Sequence, residues 1–206
     1  IHPHHAEETS RESIATLAGL LENDRVKAVG ETGLDFFRDI SPRATQIKSF
    51  EQHIELAIET GLPMFLHERD AHPTFAEVLS GYRDNLSDLV VHCFTGEKEA
   101  LYTYLDLDCH IGITGWICDE RRGQHLLNLV KDIPVERLMI ETDAPYLMPR
   151  SIRPKPKTRR NEPQYLKVVC ETVAECRGAT LDEVARQTSN NARRFFNLPA
   201  SPDEQN

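Results

Sequence analysis

Residues 26–67 read VKAVGETGLDFFRDISPRATQIKSFEQHIELAIETGLPMFLH, and this stretch decides the fold. A short apolar segment, 26–29, is followed by a turn and then by apolar residues at helical spacing. Ser41 and Pro42 open that helical pattern, because Ser is common at the N-cap and Pro at the first helical position. A second apolar segment, 63–66, follows the helix. The stretch therefore predicts a strand–helix–strand unit.

The same rhythm continues along the chain. Apolar segments at 89–91, 110–113 and 137–140 are each followed or preceded by a helical pattern, and the pattern after 110–113 predicts a helix over about 121–130. Strands that alternate with helices predict a parallel sheet, either in a doubly wound open sheet or in a closed barrel. The sequence has no glycine-rich dinucleotide or P-loop motif. Polar residues instead end several strands, which favours an α/β fold of the TIM-type (β/α) barrel, where strand ends surround one mouth.

The C-terminal part of the chain predicts two further helices. Residues 163–177 have a helical pattern, and Thr180 and Glu183 form a capping box that opens a helix to about residue 196. No linker interrupts the chain, so residues 1–206 are predicted to form a single domain. Residues 201–206 are predicted to be a frayed tail.

Composition narrows the class of protein. The net charge of −9 argues against a protein that coats nucleic acid, although an enzyme can still grip a phosphate chain locally. No apolar run approaches the roughly 20 residues that cross a bilayer, so no membrane partner is expected. Five cysteines, an odd number without a C-x-x-C pair, suit reduced thiols and a cytoplasmic location.

Four residues of metal-ligand type occupy the same place in their strand–helix units. Glu31, His67, His92 and Asp143 each come at or just after the end of a predicted strand. A single strand-end histidine is usually structural, but four aligned positions favour a shared site. Carboxylate oxygens suit Mg²⁺ or Mn²⁺, and imidazoles suit Mn²⁺ or Zn²⁺. The pattern predicts a divalent metal site in which a carboxylate can take a proton from water.

Two further segments are candidates for substrate binding. His2 and His4 belong either to an exposed end of the chain or to a loop that reaches the metal or the substrate. The segment 150–160 holds six basic residues in an acidic protein. It either forms a solvated loop or binds a polyanionic substrate, with cations meeting phosphates. Its candidate contacts are Arg150, Arg153, Arg159 and Arg160.

Several motifs resemble those of the TatD family of metal-dependent deoxyribonucleases. The motifs, in chain order, are IHPH at 1–4, GETGLD at 30–35, LHERD at 66–70, VHCFTG at 91–96, GITGW at 112–116, IETDAPY at 140–146 and RRNEP at 159–163. They run through essentially the whole chain. The resemblance implies an amidohydrolase-like TIM barrel and a 3′–5′ exonuclease that acts on single-stranded DNA, or on RNA, with Mg²⁺.

The resemblance also implies roles for individual residues. Glu31, His67, His92 and Asp143 would be metal-site residues, with Glu31 and Asp143 catalytic and Asp143 the base for the attacking water. His2 would act at the metal or at the scissile phosphate. The family's barrel begins upstream of its His-Pro-His segment, so we expect a barrel that is incomplete at its N-terminus. Two alternatives stay open: a metal-dependent amidohydrolase or lactonase of small molecules, and an inactive truncated barrel.

Overall fold

The computed structural model describes residues 1–199, in which strands and helices alternate. The strands are β1 (Val29–Asp35), β2 (Met64–Arg69), β3 (Leu89–Val91), β4 (His110–Ile113) and β5 (Leu138–Ile140). The α-helices are α1 (Arg11–Leu21), α2 (Arg43–Thr60), α3 (His72–Tyr82), α4 (Lys98–Asp106), α5 (Leu126–Leu129), α6 (Leu166–Arg177) and α7 (Leu181–Phe195). The predicted tail, 201–206, lies outside the described residues.

The strands form one sheet in the order of the sequence, β1-β2-β3-β4-β5. β1 pairs with β2, β2 with β3 and β4 with β5, and each of these pairs is parallel. Parallel neighbours need a crossover connection, and helices provide it here. The predicted α/β class with a parallel sheet is therefore confirmed. No helix among residues 1–199 is long and apolar enough to span a bilayer.

The described chain divides into two compact units. The first unit comprises Ile1–His92 with Tyr102–His110, and the second comprises Cys93–Leu101 with the chain from Ile111 onward. In the first unit, α2 packs on β1. Its buried face holds the apolar residues at helical spacing and also the polar Gln46, whose Oε1 accepts the Asp35 amide of β1 at 2.9 Å. Phe50 of α2 is fully buried and stacks on Phe75 of α3 at a centroid distance of 5.1 Å.

In the second unit, α6 and α7 pack together and both contact β5. The predicted capping box at the start of α7 is present: Thr180 Oγ1 accepts from the Glu183 amide at 3.2 Å, and Glu183 Oε2 accepts from the Thr180 amide at 2.8 Å. The buried Asn191 side chain of α7 donates to the carbonyl oxygens of Val135 and Leu138, both at 2.7 Å. These bonds fasten α7 to the start of β5.

Two strand predictions placed the strand ends too early. β1 begins at Val29, not at residue 26, and continues through Glu31 to Asp35, while β2 continues past His67 to Arg69. β1 and β2 stay paired over this length because the register shifts once, between Gly30 and Thr32, and regular pairing then continues to the end of both strands. Glu31 and His67 therefore lie within strands instead of after them.

Two helix starts also differ from the prediction. Pro42, not Ser41, is the N-cap of α2, and the buried Ser41 hydroxyl instead donates to the His4 carbonyl at 3.2 Å. The helix predicted for 121–130 is reduced to α5. Asp119 is the physical reason, because its carboxylate accepts the Arg121 amide at 3.0 Å and holds the chain in a turn.

Candidate metal centre

Three imidazole rings contact one carboxylate oxygen in the first unit. Oε1 of Glu31 lies 2.8 Å from Nδ1 of His67, 2.8 Å from Nε2 of His92 and 3.3 Å from Nε2 of His2. Glu31 of β1 and His67 of β2 lie on neighbouring, paired strands, and His92 directly follows β3. The structure thus brings together Glu31, His67 and His92 of the predicted set.

The histidines at the start of the chain join this cluster. His2 is the N-cap of a short 3₁₀-helix, Pro3–Glu8, and its Nδ1 accepts the His4 amide at 3.1 Å. Pro3 at the first helical position fixes the local backbone. This turn directs His2 toward Glu31 and brings Nε2 of His4 within 2.6 Å of Oδ2 of Asp35. Of the two readings of this segment, the structure favours the one that reaches the site.

Asp35 is a site residue that the sequence reasoning missed. Its side chain is only 1% exposed, and Oδ2 lies 2.6 Å from His4 Nε2 and 3.4 Å from His67 Nε2. Oδ1 accepts the Arg38 amide at 2.7 Å. A signal was present, because alternate residues of a strand share a face and Asp35 stands four positions after Glu31.

The electrostatics keep both carboxylates ionised. Burial alone would raise the pKa of Glu31, but the hydrogen bonds from His2, His67 and His92 outweigh it and hold that pKa well below its usual range. Burial likewise opposes ionisation of Asp35, and its neighbours His67, Arg38 and His4 lower its pKa. Burial lowers the pKa of His67, yet the Asp35 and Glu31 carboxylates outweigh it and raise that pKa.

The donor set fits a divalent cation. One ligand atom each from His2, Glu31 and His67 lies within 4.8 Å of the others. His67 Nε2 is buried, and its contact with Asp35 Oδ2 at 3.4 Å is an ion-pair distance without the geometry of a hydrogen bond. A buried polar atom without a hydrogen bond is unusual in a folded protein, and imidazole nitrogens and carboxylate oxygens are both common metal ligands. The chemistry of this donor set is therefore compatible with a divalent metal ion.

Asp143, the fourth predicted ligand, belongs to the second unit. It is the third residue after β5, is partly exposed and has a positive φ of 57°. Asp tolerates this left-handed conformation better than most residues. The participation of Asp143 in a metal site stays a prediction from the sequence.

The basic segment 150–160 lines a groove in the second unit. Arg150, Arg153 and Arg159 border this cavity of about 730 Å³, together with Trp116. Arg160 is exposed but does not border it. Arg150 is engaged by Glu120 at 3.1 Å, and Arg153 donates to two backbone carbonyls of its own loop. The substrate contacts of these four arginines stay predictions.

Known proteins are similar in sequence to this chain over nearly its whole length. Residues 1–197 match the family model of TatD-related DNases. The chain is 50% identical to the "3′-5′ ssDNA/RNA exonuclease TatD" of Erwinia billingiae, over 97% of this chain and 77% of that protein. It is 43% identical to the protein of the same name in Salmonella typhimurium, over 96% of this chain and 76% of that one.

Solved structures agree. YJJV, a TatD homolog from Escherichia coli K12, superposes with a TM-score of 0.85 at 30% identity, over 97% of this chain and 75% of that chain. A TatD-family hydrolase from Entamoeba histolytica gives 0.84 at 28%, over 95% and 72%. An amidohydrolase from Saccharomyces cerevisiae, with a TM-score of 0.77 at 22% identity over 89% and 70%, shows the fold alone. The predicted amidohydrolase-like fold class is confirmed, and the chain belongs to the TatD-related DNase family.

Proposed function

We propose that this protein is a metal-dependent nuclease that hydrolyses phosphodiester bonds of single-stranded DNA or RNA and shortens the strand from its 3′ end. The observation that carries the proposal is the convergence of three imidazoles on Oε1 of Glu31 beside the buried Asp35. The names of the relatives from Erwinia billingiae and Salmonella typhimurium support the polarity and the single-stranded substrate.

Glu31, His67 and His92 would hold the metal, with His2 beside them and with Asp143 as the ligand expected from the sequence. We propose Mg²⁺ as the working ion, and the mixed oxygen and nitrogen donors also suit Mn²⁺ or Zn²⁺. A divalent cation there supplies positive charge for the phosphate oxygens and makes water more acidic.

The protein's own residues would do the remaining work. Asp143 would accept the proton of the attacking water, as a general base. Asp35 would hold the His4 ring and steady the His67 ring, since it lies within 2.6 Å and 3.4 Å of their nitrogens. The arginines of segment 150–160 would bind phosphates of the strand. Those predicted for this role are Arg150, Arg153, Arg159 and Arg160.

The proposal is tested with a 5′-labelled single-stranded oligonucleotide. We expect stepwise shortening from the 3′ end in Mg²⁺ or Mn²⁺, no cleavage in EDTA, and recovery when excess metal is restored. A blunt duplex of the same sequence is the matched substrate control and should be degraded more slowly. If the oligonucleotide stayed intact with every metal at micromolar enzyme, the nuclease proposal would be contradicted. The alternative of an amide or lactone substrate would then be favoured.

Replacement of Asp143 by asparagine should lower the cleavage rate at least about 100-fold, because a general base typically contributes 10²–10⁴-fold. Asparagine keeps the shape and tolerates the positive φ of this residue, so the fold should be unaffected. Single-turnover rates and thermal unfolding measure the two effects. Asp182→Asn, an exposed carboxylate of α7, is the control. An Asp143→Asn variant as fast as the control would remove Asp143 from the reaction.

A further inference from the structure

The groove in the second unit has an uneven charge. Seven Lys and Arg residues border it, against two carboxylates, Asp119 and Glu120, in a chain whose net charge is −9. Its volume of about 730 Å³ falls within the roughly 300–1,000 Å³ of typical small-molecule sites. A local excess of cations in an acidic protein attracts an anionic ligand.

One end of the groove is a flat platform held by a buried carboxylate. Asp119 is 2% exposed, and its Oδ2 accepts from Arg122 Nε at 2.9 Å and Nη2 at 2.8 Å. These two charge-assisted bonds to one carboxylate oxygen hold the Arg122 guanidinium 4.1 Å above the centre of the Trp116 ring system. The Arg122 side chain remains 50% exposed. A planar group in this position can stack on a nucleic-acid base.

The other cations of the groove divide into two kinds. Three of them are bound within the protein: Arg121 lies 3.5 Å from Asp119, Arg150 lies 3.1 Å from Glu120, and Arg153 donates to two backbone carbonyls of its own loop. Lys155, Lys157 and Arg159 are exposed, and their side chains make no ion pair or hydrogen bond with any residue among 1–199. They stand at alternate positions of the loop. These three side chains are available to meet successive phosphates.

We propose that this groove is a nucleotide subsite for a single strand, with a base on the Trp116–Arg122 platform and phosphates on Lys155, Lys157 and Arg159. The choice of a nucleic acid as the ligand rests on the proposed function. The platform needs a base with an open face, which a single strand offers and a stacked duplex does not. The subsite therefore selects single strands by base stacking and holds them by charge.

Trp116 is the protein's single tryptophan, so its fluorescence reports on the groove directly. Hexathymidylate titrated in EDTA, where no cleavage occurs, should quench it saturably, with an affinity that falls as salt rises. Lys155→Ala/Lys157→Ala/Arg159→Ala should weaken binding at least about tenfold and flatten its salt dependence. The matched control, Lys131→Ala/Lys167→Ala/Arg186→Ala, removes equal charge from exposed sites outside the groove and should bind like the wild type.

The stacking half of the proposal has its own test. An abasic hexamer with the same phosphates should bind about tenfold more weakly than hexathymidylate, because stacking is lost. Arg122→Lys, which keeps the charge but not the plane, should reduce that difference. Equal binding by the triple variant and its control, or equal affinity for the abasic hexamer, would overturn the subsite. Quenching without nuclease activity would instead contradict only the proposed function, since binding is read in EDTA.

Discussion

Glu31→Gln is expected to lower the rate of metal-dependent cleavage more than about 100-fold. Replacing even a residue that only contacts a metal ligand typically lowers metal affinity or activity roughly 10–100-fold. Glutamine keeps the volume of the side chain but removes the charge at the point where His2, His67 and His92 converge. The loss should be in kcat as well as in metal affinity. Single-turnover rates at increasing Mn²⁺ concentration separate these two effects.

The control for this change is Glu55→Gln, which neutralises an exposed carboxylate of α2 in the same unit. It should cleave at the wild-type rate. Glu31→Gln should also lower the unfolding temperature, because the ionised carboxylate is stabilised by three imidazoles in the folded protein, whereas Glu55→Gln should not. The cleavage rates are therefore compared well below both unfolding temperatures, where both variants are folded. If Glu31→Gln cleaved as fast as Glu55→Gln, the reaction would not depend on this cluster.

Gly33→Ala is expected to destabilise the fold by about 3 kcal/mol or more, as a strained backbone and an overpacked core each cost about 1–3 kcal/mol. Gly33 has φ +142°, a conformation that other L-residues rarely adopt. A Cβ at this position would lie 2.0 Å from the carbonyl oxygen of His67, its register partner on β2. Urea unfolding measures the change.

The matched control is Gly19→Ala in α1, where a Cβ would meet nothing within 4 Å. Alanine should stabilise this helix by roughly 0.5–1 kcal/mol, because glycine is a poor helix former. The expected changes in the free energy of unfolding have opposite signs at the two glycines, so the pair separates steric conflict from helix propensity. Equal stability of Gly33→Ala and the wild type would mean that β1 and β2 do not approach as closely at this point.

The parts of the fold that were predicted from sequence depend on local patterns. The apolar face of α2 with Phe50 and Ile54, the capping box at Thr180 and the position of His92 after β3 all follow from short-range spacing. Such features are visible because neighbouring residues in the chain determine them. The order of strands and helices follows for the same reason.

The parts that were missed depend on contacts between distant residues. A polar residue looks like the end of a strand, yet β1 continues from Glu31 to Asp35 because β2 continues to pair with it. The contact of His4 with Asp35 joins residues 31 positions apart, and no local pattern indicates it. The Asp119 side chain bonds the Arg121 amide and keeps the helix from starting at residue 121, which residue spacing does not reveal.

The proposed function depends on a divalent metal centre at the cluster around Glu31. Calorimetric titration of EDTA-stripped protein with Mn²⁺ tests it directly, with Glu31→Gln and Glu55→Gln titrated beside the wild type. We expect saturable binding by the wild type and by Glu55→Gln, and binding at least about tenfold weaker in Glu31→Gln. Absence of saturable Mn²⁺ binding by the wild type, or equal affinity in all three proteins, would contradict it.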